Sequence, residues 1–201
     1  DTTLLALLQP TKYAITAVPN NAPYGDVTGG GQHAYNNVIT LTATPKYGYE
    51  FERWSDGNTT NPRTIVVSDN NNYSAIFKAK QYNITATSAF SAQGSVSGSG
   101  MYDYNTYANV LATAKSGAHF VKWSDGNTEN PRVITVLDNV NLVAEFDYND
   151  YTLTTQVNSV ERGSVTSGES IQYTQTKELT ATPKYGYVFK NWTISGTESS
   201  L

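Results

Sequence analysis

The chain repeats itself with a period of 69 residues, and no other feature restricts its fold so strongly. Tyr13, Tyr82 and Tyr151 stand 69 apart, as do Gly48, Gly117 and Gly186, and Trp54, Trp123 and Trp192. The longest shared run is Trp54-Ser-Asp-Gly-Asn-Thr-Thr-Asn-Pro-Arg63 against Trp123-Ser-Asp-Gly-Asn-Thr-Glu-Asn-Pro-Arg132. The copies align without insertion or deletion. Such regularity marks an array of equivalent modules, in contrast to one enzyme with one active centre. Residues 13–81 form repeat 1, 82–150 repeat 2, and 151–201 a third that stops early. Residues 1–12 align with the end of a repeat: Leu4, Ala6 and Leu8 fall where Tyr73, Ala75 and Phe77 lie, and where Leu142, Ala144 and Phe146 lie. They read as the last strand of a preceding copy, and the chain as a piece of a longer protein.

A seventy-residue module buries only roughly 60% of its unfolded surface, so each copy alone is marginal and contact with neighbouring repeats stabilises it. The chain has no cysteine, which removes disulfides, thiol chemistry and cysteine metal sites. Net charge is −4. The deficit sits in repeat 2, which holds three basic residues against seven acidic ones. No basic face recurs with the period, so a nucleic-acid partner is not expected. No stretch approaches the ~18 apolar residues of a membrane helix. The run Leu4–Leu8 is too short for a signal-peptide core.

Apolar residues alternate with a period of two. Tyr82, Ile84 and Ala86 alternate with polar neighbours, as do Tyr13, Ile15 and Ala17. Leu41 and Ala43 match Val110 and Ala112, then Leu179 and Ala181, while Ile65 and Val67 match Ile134 and Val136. Four or five half-buried strands per repeat follow, with Gly, Asn, Asp, Ser and Pro marking the turns. No amphipathic helix is visible, so the class is all-β, a tandem array of small modules. Phe51 and Trp54 are three apart and cannot share one face of a regular strand, which predicts a bulge near Arg53 and near Lys122.

The order of Leu41-Thr-Ala-Thr-Pro45, Gly48-Tyr-Glu-Phe-Glu-Arg-Trp54 and Ala75-Ile-Phe77 resembles the InlB B-repeat family, in its divergent branch with Trp-Ser-Asp-Gly-Asn after the aromatic strand. The resemblance runs over nearly the whole chain, three times. It implies a β-grasp-like module and an extracellular or cell-surface bacterial protein of adhesin-like type. Repeat 3 departs from the pattern, since Trp192 is followed by Thr-Ile-Ser-Gly-Thr.

The recurrent pairs Phe51 and Trp54, Phe120 and Trp123, and Phe189 and Trp192 supply what a small core needs, and are read as core residues ahead of a sugar-stacking platform. Asp56 and Asn58 in Ser55–Thr59 offer oxygens of the kind Ca²⁺ takes, but the full calcium loop and its distal Glu are missing, so the loop reads as a turn and no metal is assigned. Arg63 and Arg132 are read as partners of the acidic loop nearby. His33 and His119 occupy unrelated positions in their copies, and no nucleophile–base constellation is visible, so no catalytic residue and no cofactor is assigned. Four Asn-x-Ser/Thr sites, at Asn58, Asn72, Asn83 and Asn191, carry no functional assignment. Tyr102, Tyr104 and Tyr107 cluster beside Met101 and are the candidate binding residues for an extracellular protein or a glycan. The leading expectation is a non-catalytic stalk or spacer, and the alternative is a carbohydrate- or host-protein-binding module that uses those tyrosines.

Overall fold

The computed structural model describes residues 2–194; Asp1 and the end of repeat 3, residues 195–201, lie outside them. Among the described residues every regular element is a strand. Repeat 1 contains β1 (Lys12–Pro19), β2 (Gly25–Thr28), β3 (Gly31–Ala34), β4 (Val38–Pro45), β5 (Tyr49–Trp54), β6 (Arg63–Val66) and β7 (Asn71–Ala79). That is more than the four or five read from alternation. The short β3, which opens on a glycine and carries little apolar alternation, gives no sequence signal of its own.

The strands of repeat 1 form two sheets. One has the order β3-β1-β7-β5, the other β2-β4-β6. In the first, β1 and β7 run parallel, with Ala17 opposite Tyr73. β3 flanks β1 and β5 flanks β7, both antiparallel. A parallel pair needs a long crossover, and here that crossover carries the whole second sheet. The face that a β-grasp gives to a helix is therefore covered by β-structure. Ile15, Leu41, Ala43, Trp54, Val67, Ala75 and Phe77 make the buried core, drawn from both sheets. Alternation along β4 and β7 brings these residues to one face and leaves their neighbours to solvent.

The bulge falls where the spacing of Phe51 and Trp54 requires it. Phe51 stands opposite Phe77, yet Arg53 stands opposite Ile76, so one residue is extra. It rotates the strand by one side-chain position and turns both aromatics inward, with ring centres 5.5 Å apart. The same shift occurs between Phe120 and Lys122, and the Phe120 and Trp123 rings are 5.4 Å apart. Trp54 and Trp123 are fully buried, and Phe51 and Phe120 are half-buried against Phe77 and Phe146.

Repeat 2 contains β8 (Gln81–Ser88), β9 (Gly94–Ser97), β10 (Gly100–Asp103), β11 (Tyr107–Ala114), β12 (Ala118–Trp123), β13 (Arg132–Thr135) and β14 (Val140–Tyr148). β10 pairs with β8, β11 with β13 and β12 with β14, as their counterparts do in repeat 1. Repeat 3 shows β15 (Asp150–Thr152), β16 (Gly163–Val165), β17 (Ser170–Gln172) and β18 (Ala181–Pro183), with β15 paired to β17 and β16 to β18. The chain divides into two compact units. Asp1–Ala86, Ser97–Leu111 and Asn130–Leu142 make one, and Thr87–Val96, Ala112–Glu129 and Val143–Leu201 the other. The division runs through repeat 2, so repeat and compact unit are different divisions of the chain.

Two expectations differ from the structure. No strand forms over Leu4–Leu8, and Leu4, Leu5, Leu7 and Leu8 are each more than four-fifths exposed. Their counterparts in β7 pair with two strands of their own repeat, and no strand of the described residues offers Leu4–Leu8 that pairing. Nor are Phe189 and Trp192 buried: they are 49% and 40% exposed, although their rings keep the usual 5.6 Å contact. In the other copies Trp54 and Trp123 lie opposite Ala75 and Ala144 of the last strand, and the described residues of repeat 3 supply no such strand. Accordingly, Trp54→Ala is expected to cost about 3–5 kcal/mol of unfolding free energy, and Trp192→Ala less than half of that. Urea unfolding of the two variants beside the parent chain measures both.

Candidate functional site

The Ser55–Thr59 loop spends its polar groups on itself. The Trp54 N–H donates to Asn58 O (2.7 Å) and the Gly57 N–H to Trp54 O (2.9 Å), closing a turn. The Asn58 N–H donates to Asp56 Oδ1 (3.2 Å) and the Thr60 N–H to Asn58 Oδ1 (2.8 Å). The Trp54 indole Nε1 donates to Thr60 O (2.9 Å), which ties the loop to the core. Repeat 2 reproduces the pattern: the Trp123 indole donates to Glu129 O, and the N–H groups of Asn127 and Glu129 donate to Asp125 and Asn127. The oxygens that a calcium ion would need therefore already accept internal hydrogen bonds. No group of three or more potential metal-ligating residues occurs among the described residues.

Arg63 completes this loop. Its guanidinium donates to both Asp56 oxygens, at 2.8 and 2.7 Å, and lies over the Trp54 and Tyr73 rings, 5.9 and 5.1 Å from their centres. Burial pulls the Asp56 carboxyl upward. The Arg63 hydrogen bond, the Asn58 N–H and the Arg63 charge outweigh that pull and hold it below its ordinary 3.8. Beside it, Asn61 acts as a peptide mimic: its side chain accepts from Ala43 N–H (2.9 Å) and donates to Ala43 O (2.7 Å), satisfying a strand position that no backbone reaches.

The arrangement that recurs between repeats is a ring on a glycine. In the first unit the Tyr104 ring lies over Gly48, where an added Cβ would sit 2.3 Å from the ring. Gly48 has φ of +81°, so glycine answers both the turn and the close approach. Tyr47, Tyr49 and Tyr82 surround the same ring at 5.7, 5.4 and 6.2 Å between centres. Burial, then the neighbouring Tyr24 and Tyr104 hydroxyls, push the Tyr49 hydroxyl above its ordinary value. Only Lys80 separates β7 from β8. Its N–H donates to Gly48 O (2.9 Å), and its carbonyl accepts from Tyr104 N–H (2.8 Å). One linker residue thus bonds to the repeat on each side.

The second unit builds the same joint 69 residues on. The Tyr173 ring covers Gly117, with an added Cβ again 2.3 Å away. Tyr148 and Tyr151 flank it at 5.9 and 6.3 Å. The Asn149 N–H donates to Gly117 O (2.8 Å), and the Tyr173 N–H donates to Asn149 O (2.9 Å). Sequence reasoning missed the glycine–linker–tyrosine triplet, although its signal was present: Gly48, Lys80 and Tyr104 recur as Gly117, Asn149 and Tyr173 at one fixed offset.

The three tyrosines singled out for binding occupy three different settings. Tyr104 is committed to the joint. Tyr102 is half-buried and donates its hydroxyl to Gly98 O (2.9 Å). Tyr107 begins β11, in a different sheet, and is 66% exposed. The spacing that clusters them in sequence passes through a turn, with Asn105 at φ +62°, that carries the chain from one sheet to the other. Each histidine has a partner of its own: the His33 ring nitrogen meets Gly29 O, and that of His119 meets Asn149 Oδ1. A cleft of about 420 Å³ lies in repeat 3 and is lined by Gly163, Val165, Phe189 and Trp192 among others. It is the uncovered core of that repeat.

A family model described as the divergent InlB B-repeat domain matches residues 13–87, 82–150 and 153–200. The chain belongs to that family, a repeat domain associated with bacterial surface proteins and not a known enzyme family. No curated protein and no solved structure matches it. No helix among the described residues is long and apolar enough to cross a membrane.

Two expected outcomes follow from this geometry. Gly48→Ala meets the Tyr104 ring, whereas Gly186, at φ +86°, has nothing within 4 Å of an added Cβ. Gly186→Ala should therefore cost only the left-handed strain, about 1–2 kcal/mol, and Gly48→Ala clearly more, read from thermal unfolding. Asp56 has a lowered folded-state value, so its stabilisation is present above pH 3.8 and is lost as the pH falls through that folded value. The stability gap between the parent and Asp56→Asn should be constant near neutrality and close on acidification below about pH 4.

Proposed function

We propose that this chain is a non-catalytic spacer segment of a bacterial surface protein, built from repeats over 13–81, 82–150 and 151–201. It sets the distance between whatever it joins. The observation that carries this reading is the joint. A single linker residue hydrogen bonded on both sides, with a tyrosine ring seated on a glycine, restricts swivelling between adjacent repeats. Linkers without such contacts behave as flexible coils. Repeats that contact only their neighbours stack in chain order, and reach then grows with copy number.

A spacer needs no ligand, and the side chains fit that demand. The Asp56 and Asn58 oxygens are spent on internal donors, and two of the three tyrosines first considered for an extracellular protein or glycan are occupied within the fold. Small-angle scattering of the 201-residue chain tests the proposal. An extended profile is expected, with Tyr104→Ala increasing the spread of conformations without unfolding the repeats. A compact profile, with the three copies clustered, would overturn it.

A further inference from the structure

The tyrosines of repeat 1 include a pair stacked face to face. Tyr24 closes the turn before β2 and packs on the core, and Tyr49 opens β5. Their ring centres are 4.3 Å apart and their planes lie 20° from parallel. The backbone holds both ends of this contact. The Lys46 N–H donates to Tyr24 O (3.0 Å), and the Tyr49 N–H donates to Lys46 O (3.0 Å). Among the described residues the other tyrosine pairs are tilted or edge-on, with interplanar angles of 43–82° and centres 5.4–6.3 Å apart.

The other copies fill the same two positions differently. Repeat 2 has Gln93 and Ala118 there. Repeat 3 has Arg162 and Tyr187, with the guanidinium 5.8 Å from the ring centre. The joint at Gly117 forms with no tyrosine at either position, so joining repeats does not require the stack. Solvent nevertheless reaches it through rings in contact. Tyr47 is 68% exposed, and its ring centre lies 5.7 Å from that of Tyr104, which lies 5.4 Å from that of Tyr49. Tyr24, Tyr49 and Tyr104 are each half-buried.

We propose that Tyr24 and Tyr49 form an oxidative cross-linking site, with a peroxide acting through one-electron steps as the co-reactant. Each phenol gives up one electron and one proton and becomes a phenoxyl radical. Its unpaired spin resides partly on the carbons ortho to oxygen, the Cε atoms, in orbitals perpendicular to the ring. Stacked rings point those orbitals at each other, and edge-on rings do not. One Cε–Cε bond forms, and the hydrogens on those two carbons then shift to the oxygens and restore both phenols. The protein loses two hydrogens in all. Their electrons break the O–O bond of the peroxide, and their protons go to solvent. Tyr47 and Tyr104 carry electrons outward from the stack when the oxidant is too large to touch it. The new bond closes the chain between residues 24 and 49 and ties the turn before β2 to the strand beside Gly48.

Photo-oxidation of the dilute 201-residue chain, with a tris-bipyridyl ruthenium sensitiser and persulfate as the peroxide, tests this. The monomer is expected to lose the mass of two hydrogens. Proteolytic mapping should join the peptide carrying Tyr24 to the one carrying Tyr49. Tyr24→Phe keeps the ring and its packing but forms no phenoxyl, and should abolish that product. Tyr82→Phe alters a tilted contact and should leave it. The linked chain should unfold at least about 5 °C above the parent, because a closed loop restricts the unfolded state as a disulfide does. Linkage at another tyrosine pair, persistence of the product in Tyr24→Phe, recovery of unlinked chain alone, or a linked chain no more stable than the parent overturns the proposal. The spacer reading is decided by scattering and does not depend on this bond.

Discussion

The last strand of a repeat is the part on which the others depend. β7 is central in its sheet, parallel to β1 and antiparallel to β5, so it supplies hydrogen-bond partners to both. It also supplies the small buried residue opposite Trp54, Ala75, and the aromatic that covers Gly25, Phe77. A larger residue at the fully buried Ala75 would overpack the core beside Trp54, and a smaller one at Phe77 would leave a cavity. In repeat 3 each of the four strands among the described residues is three residues long, and the Phe189 and Trp192 rings keep their contact while partly exposed.

Much of this was legible in the sequence, for a physical reason. A period of two with buried alternation is a strong signal where strands have one wet face, and it located β1, β4, β7 and their copies. The three-residue gap between Phe51 and Trp54 forced a bulge, because two inward aromatics cannot otherwise share a strand. Arg63 was read as the partner of the acidic loop, and it binds Asp56. What the sequence concealed was pairing at a distance. β3 carries no alternation, because it is an edge strand of four residues opening on a glycine. Tyr102, Tyr104 and Tyr107 looked like one patch because they are adjacent in sequence. A turn sends them to separate sheets, and Tyr104 finds a glycine in the preceding repeat.

The joint and the loop show two different uses of polar groups. In the Ser55–Thr59 loop, turn formation absorbs the carboxylate and amide oxygens, leaving a surface element fixed to the core through the Trp54 indole. At the joint, one linker residue provides its N–H as a donor to one repeat and its carbonyl as an acceptor to the next. Because that residue is hydrogen bonded through both of its flanking peptide groups, swivelling at it strains one bond or the other. The tyrosine ring adds apolar contact over the same spot, which only a residue without Cβ can receive.

This economy explains how marginal modules form a stable chain. Each seventy-residue repeat buries too little surface to be robust alone, and the joint places part of the burial between repeats. Stability in such arrays is a sum of module terms and nearest-neighbour terms, so weakening a joint reaches both repeats that share it. The boundary between the two compact units runs through repeat 2, part of which is grouped with repeat 1 and the remainder with repeat 3.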